Sequence, residues 1–179
     1  MEMHALLLAH ETSEQLEQSM LADMLAFVLQ HEDCFERSLL VGHMTGSAWV
    51  LNAEGSHVLL THHRKLNRWL QLGGHADGEP DLLKVALREA WEESGIADIV
   101  PLQETPFDID IHRIPERGAE PAHFHYDVRY LLQAPSHARI QVSEESHAIA
   151  WVPLDGLAER EDVDEAMRRM VRKTVAWRK

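Results

Sequence analysis

The apolar positions of this chain change period several times, and each change marks an element. Between residues 12 and 30, Leu16, Met20, Met24, Phe27 and Val28 recur at helical spacing, which predicts an amphipathic helix. Thr12, with Gln15 three residues on, has the form of a capping box at its start. A packing helix is the ordinary meaning of such a stripe, and a homodimer contact is the other. A shorter apolar piece at residues 5–9 precedes it, too brief to assign to helix or strand.

From Gly42 the period shortens. Residues 47–51, 58–61 and 69–72 read as strands, the first two joined by a turn at 52–55 and the last two by a polar loop at 62–68. A helix is predicted from about Pro80 to residue 94. Pro lies in its first turn and Gly95 just past its end, the usual asymmetry of helix termini. Its core stripe reads Leu83, Ala86, Leu87 and Ala90. Further strands are expected at 107–114, 123–132, 138–142 and 148–153. A last helix over 162–177 carries Met167, Met170, Val171 and Thr174 on one face. No repeat or linker interrupts the series, so the pattern predicts one α/β (α+β) domain with helices packed on a mixed sheet.

Composition changes this picture in two places. The chain has 179 residues with 30 acidic side chains against 17 Lys and Arg, a formal charge of −13. That balance argues against a nucleic-acid footprint, which needs clustered cations, but not against a small phosphorylated ligand brought in with a divalent ion. There are 13 histidines, dispersed along the chain. The lone cysteine, Cys34, forms no internal disulfide, and the apolar run at the N-terminus has no basic flank and is far too short for a membrane span. A soluble, cytoplasmic protein with no membrane partner is the expectation.

Part of the acid excess is organised. Glu89, Glu92 and Glu93 stand at i, i+3 and i+4 near the C-terminal end of the 80–94 helix. Like charges at that spacing repel, and the helix dipole disfavours them there. Arg88 offsets some of this by reaching Glu92 one turn on. Three carboxylates so placed are either a solvated acidic face or a site for a hard divalent cation such as Mg²⁺ or Mn²⁺.

Residues 74–96 decide between these readings, because they resemble the Nudix box, G-x5-E-x7-R-E-U-x-E-E-x-G-U with U aliphatic. Gly74, Arg88, Glu89, Ala90, Glu92, Glu93, Gly95 and Ile96 occupy its positions. Residues 69–74 are similar to the strand leading into the box, and Glu145, six residues before Trp151, to the acidic position before the closing strand. One position departs: Pro80 stands where the box has its first glutamate, with Glu79 one residue early and Asp81 as a substitute.

The resemblance covers about residues 43–155. It implies an α/β/α sandwich around a mixed sheet, with a hydrolase domain over 36–179 and an N-terminal helical extension, 1–35, packed on its core as part of one globular unit. The implied reaction is metal-dependent hydrolysis of a diphosphate linked to another moiety, by water attack at phosphorus. Glu89, Glu92, Glu93 and the Gly73 or Gly74 carbonyl would hold Mg²⁺ or Mn²⁺, Arg88 would brace the glutamates, and Glu145 or its neighbour Glu144 would activate water. The implied partner is a small phosphorylated substrate, a nucleotide derivative. Two alternatives keep the same fold: a non-catalytic nucleotide-binding or regulatory module, and an isomerase with an additional metal.

The histidines pose a separate question. His62, His63, His75, His112, His123, His125 and His147 gather in sequence around the segments that would flank the cleft. In 123–132, His123, His125, Asp127 and Arg129 alternate with Phe124, Tyr126, Val128 and Tyr130. In the strand before it, Asp108, Asp110 and His112 alternate with Ile109 and Ile111. If these strands pair, a His/Asp patch forms on one sheet face. It is either the water-facing side of an antiparallel sheet or a surface for substrate or an auxiliary transition metal, with His123, His125 and Asp127 its candidates. His62, His63, Arg64, Lys65 and Arg68 form a basic knot, either a solvated loop or a phosphate clamp led by Arg64 and Lys65. His75 is expected to line the mouth of the site.

Overall fold

The computed structural model describes residues 2–64, 67–118, 120–141 and 146–178. The elements in chain order are α1 (Met3–Leu8), α2 (Gln15–Gln30), β1 (Gly42–Leu51), β2 (His57–His63), β3 (Arg68–Leu70), β4 (Leu72–His75), α3 (Leu82–Ser94), β5 (Val100–Pro101), β6 (Asp108–Ile114), β7 (His123–Gln133), β8 (Ser146–Pro153) and α4 (Glu165–Trp177). The class is α/β on a mixed sheet, as the periodicity predicts. No described helix is long and apolar enough to cross a membrane.

The chain forms two compact units. The first comprises Met1–Ser47, Gly73–Ala86 and Gln103–Tyr130, and the second Ala48–Leu72, Leu87–Leu102 and Leu131–Lys179, so β1, β7 and α3 each contribute to both.

In the first unit β6 pairs antiparallel with β7, with Asp108 opposite Arg129, Asp110 opposite Asp127 and His112 opposite His125. β7 neighbours β1, and β1 neighbours β4. The outer edge of β6 is covered by α2: Ile109 donates its N–H to Glu17 Oε1 at 3.1 Å, and Ile111 to Met20 Sδ at 3.3 Å. An edge strand is thereby closed to further pairing. Phe27 stacks on Tyr126 with ring centroids 3.7 Å apart, which packs α2 against β7. Met20, Met24 and Phe27 are buried as the stripe predicts, but Leu16 is exposed, and the buried member of the first turn is Glu17, bonded to His10 at 2.8 Å and to Thr12. Thr12 is therefore not an N-cap. The helix begins at Gln15, after Glu14, because the Thr12 hydroxyl serves Glu17 and the Glu14 N–H instead.

Two close approaches position the later elements of this unit. A Cβ at Gly46 would lie 2.8 Å from the Leu82 carbonyl oxygen, and one at Gly73 would lie 2.8 Å from Ser47 Cα. Glycine at these places lets the start of α3 and strand β4 come directly against β1.

In the second unit β2 pairs antiparallel with β3 and β8, and with β1 through Leu51 opposite Val58. The predicted 52–55 turn is observed, with Asn52 Oδ1 accepting from the N–H groups of Ser56 and His57 and with Gly55 at φ 66°. α4 is capped by Asp164, whose carboxylate accepts from the Met167 N–H at 2.9 Å, and it buries Met167, Met170, Val171 and Thr174. Trp49, fully buried, donates to Thr174 Oγ1 at 2.9 Å. Each large apolar side chain buried this way contributes about 1.5–3 kcal/mol. The strand expected at 138–142 is absent over its described residues 138–141. Gln141 donates instead to the Ser94 carbonyl at 2.7 Å, beyond the end of α3, so this segment follows the helix rather than a strand. The two-residue β5, paired with β7, was not predicted and is too short to leave a periodic signal.

Candidate active site

The box segment begins with a tight loop and ends in a helix. Within the loop, Gly78 takes φ 84° and donates to the Phe35 carbonyl at 3.0 Å, while the Arg37 guanidinium grips Asp77 with two hydrogen bonds. The helix starts later than the sequence suggests, at Leu82. Asp81 Oδ1 accepts from the Lys84 N–H at 3.4 Å and Glu79 Oε1 accepts from the Asp81 N–H at 2.9 Å. Pro80, with no N–H to give, therefore precedes the first turn, and both neighbouring acids are engaged in shaping it. The same turn walls a groove lined by Glu2, Glu79, Asp81, Glu104, Lys84 and Tyr130 among others. Four carboxylates against one lysine make this groove inhospitable to a bare phosphate.

The core stripe of α3 is also displaced from the expected one: Leu82, Val85, Ala86 and Ala90 are fully buried, whereas Leu83 and Leu87 are only half-buried. At the far end, Gly95 (φ 66°) donates to the Trp91 carbonyl at 2.7 Å and stops the helix. The last two turns carry Glu89, Glu92 and Glu93 at the spacing read from the sequence, with Glu92 exposed and Glu93 half-buried. Arg88 Nη2 donates to Glu89 Oε1 at 2.8 Å rather than reaching Glu92. The Glu89 side chain is 17% exposed, so this contact orients a partly enclosed carboxylate.

The histidine patch is real as a sheet face, and on β7 it is turned largely away from water, while His112 on β6 keeps a 42% exposed side chain. His123, Asp127 and Arg129 are 4%, 2% and 3% exposed, while Phe124 on the opposite side is 42% exposed. Arg129 lies between three carboxylates: Nε donates to Asp127 at 2.8 Å, and the terminal nitrogens lie 3.1 Å from Asp108 and Asp110. Burial opposes its charge, but Asp110, Asp127 and Asp108 together raise its pKa well above the usual arginine range. Thr45 and Ser47 of β1 complete this network by donating to Asp127 Oδ1 at 2.9 and 2.8 Å. Asp127, a candidate for substrate contact, is thus held by its own protein.

The histidines of the first unit gather further along the same face. His125 is flanked by His43, His75, His112 and His123, with ring centroids 4.9–5.4 Å from its own. Burial first, and then the neighbouring rings and Arg37, push His75 down to about 4, and burial with four neighbouring rings pushes His125 down to about 2. Both rings are neutral at pH 7. His43, buried on β1, is the member that sequence reading missed. Its signal is the alternation His43-Thr45-Ser47, which the predicted strand, starting at residue 47, does not reach.

The other candidates are dispersed. Gly74 is half-buried in β4. Arg64 is exposed in the turn after β2, and Arg68 pairs with Asp164 at 3.0 Å. His62 packs beside Trp69 and His147, with ring centroids 5.2 and 5.5 Å away. Lys65, Glu144 and Glu145 lie outside the described residues.

Against models of known families, residues 43–174 match the NUDIX domain. The chain belongs to the Nudix family. As a Nudix enzyme it is a diphosphate hydrolase. Solved structures agree on the fold. The Escherichia coli dihydroneopterin triphosphate pyrophosphohydrolase is 15% identical, with a TM-score of 0.59 over 74% of this chain and 95% of that one. A Burkholderia pseudomallei MutT NUDIX hydrolase is 20% identical, with a TM-score of 0.56 over 74% and 97%. A Caenorhabditis elegans Ap4A hydrolase is 19% identical, with a TM-score of 0.55 over 75% and 96%. No curated protein matches the chain.

Proposed function

We propose that this Nudix enzyme hydrolyses the diphosphate of a nucleoside diphosphate linked to a further moiety, and that Glu89, Glu92 and Glu93 hold the Mg²⁺ or Mn²⁺ it requires. The observation that carries this reading is the end of α3, where three carboxylates share one helical face with Arg88 bonded to Glu89. Such a donor set fits a hard, oxygen-seeking cation, which would offset both the helix dipole and the mutual repulsion of the carboxylates. A cation bound there supplies charge for the diphosphate oxygens and lowers the pKa of water.

The protein's own groups then have definite tasks. Arg88 holds Glu89 in one orientation, as a bracing residue. Glu145, or Glu144 beside it, is the proposed base, its carboxylate taking the proton of the attacking water. Arg64 and Lys65 are the proposed phosphate-binding cations, since a guanidinium and an ammonium match the oxygens of a diphosphate. His75 is the proposed contact at the mouth of the site.

The test is phosphate or nucleotide release from a panel of nucleotide sugars, dinucleotides and nucleoside triphosphates with Mg²⁺ or Mn²⁺. Turnover of at least one class, lost in Glu93→Gln with folding intact, is the expected result. A panel without turnover, or full activity in that variant, overturns the proposal.

A further inference from the structure

The first unit holds a second constellation whose donors differ in kind from those of α3. His43 is 3% exposed, and neither ring nitrogen makes a hydrogen bond of full geometry, although the Leu39 carbonyl lies close enough to favour a ring N–H. A buried polar atom left this way is costly, so a native protein tolerates it where something else takes the lone pair. Next to it, the Pro121 carbonyl accepts a hydrogen bond from His123 Nδ1 at 2.9 Å. That contact places the ring proton on Nδ1 and turns the Nε2 lone pair inward, as outer partners do for metal-ligating histidines.

His123 Nε2 stands 3.3 Å from His125 Nε2. Nitrogens about 2.0–2.1 Å from a tetrahedral ion are about 3.3–3.4 Å from each other. An N–H···N bond would also explain this pair, but it would leave His43 unexplained. One ring nitrogen from each of His43, His123 and His125 lies within 4.8 Å of the other two. The Glu120 carboxylate is 3.9 Å from His123 Nε2 on the exposed side.

We propose that His43, His123 and His125 form a transition-metal site, taking Zn²⁺ or an ion of similar preference, with the fourth position filled by water or Glu120. Imidazole nitrogens suit zinc, cobalt, nickel and copper, whereas Mg²⁺ seeks oxygen, so this site and the α3 carboxylates select different ions. The proposal stands independently of the reading given to α3. His75 and His112, against the ring of His125, form its outer wall.

The experiment titrates Co²⁺ into tag-free, chelator-stripped protein in millimolar Mg²⁺. One equivalent should bind with the visible absorption of a four- or five-coordinate site and be displaced by one equivalent of Zn²⁺. His123→Gln and His125→Gln should each weaken binding by at least the roughly 10–100-fold that loss of an outer-shell partner costs. Glu93→Gln should leave the absorption unchanged. Absence of the bands in the unsubstituted protein, their survival in both histidine variants, or their loss in Glu93→Gln overturns the site. Should a histidine variant unfold, the unsubstituted protein decides: Zn²⁺ must raise its Tm in Mg²⁺ buffer and shift the ring resonances of three histidines, and failure of either overturns the proposal.

Discussion

Two groups of carboxylates in this molecule look alike in composition and behave as opposites. Asp108, Asp110 and Asp127 on β6 and β7 are enclosed and joined by the buried Arg129. On α3, Glu92 is exposed, Glu93 is half-buried, and Glu89, bonded to Arg88, is partly enclosed at 17% exposure. Burial makes the difference. A buried acid must find its cation and donors within the protein, and so becomes part of the framework. An acid at a surface can leave its charge for an ion from solution. Acidic residues at regular spacing therefore indicate chemistry only once their partners are known.

The comparison is most severely tested by removing Arg129. Arg129→Leu leaves three carboxylates without their shared cation and should destabilise the protein by about 3–5 kcal/mol in chemical denaturation, or prevent folding. A near-normal midpoint would mean that the buried acids are neutral or otherwise compensated. Glu93→Gln should do the reverse, lowering turnover about 10²–10³-fold while leaving the denaturation midpoint in place. A parallel loss of stability would turn α3 into framework as well.

Thr45→Val keeps shape but withdraws a donor from Asp127, and should cost about 1.5–3 kcal/mol, read from the same denaturation curves. The smallest effect is expected from Glu92→Gln in chelator. Relief of like-charge repulsion should raise stability by a few tenths of a kcal/mol, a gain that added Mg²⁺ should erase by favouring the unsubstituted protein. A loss in chelator would show that Glu92 has a stabilising partner.

Much of the local structure was legible in advance. The strand alternation at 108–114 and 123–133 follows from a two-residue period, and its pairing brings Asp108, Asp110 and His112 opposite Arg129, Asp127 and His125 as a patch. Which side of that sheet is covered could not be read. Hydropathy assigns Phe124 to the inside and Arg129 to the outside, but Arg129 is buried because three carboxylates and two β1 hydroxyls converge on its surroundings. The late start of α3 has a local cause: Asp81, one residue after Pro80, accepts from the Lys84 N–H and caps the helix, so its first turn opens at Leu82.

The sequence by itself determined the carboxylate triad of α3, because residues at i, i+3 and i+4 share a face wherever a helix forms. It also determined the family signature, which lies within one short continuous segment. Only the tertiary structure decided that His43 meets His123 and His125, and that Thr45 reaches Asp127 across 82 residues of chain. Helical spacing is set by the backbone next door, whereas strand neighbours are chosen by pairing and packing between distant segments, and no local pattern records that choice.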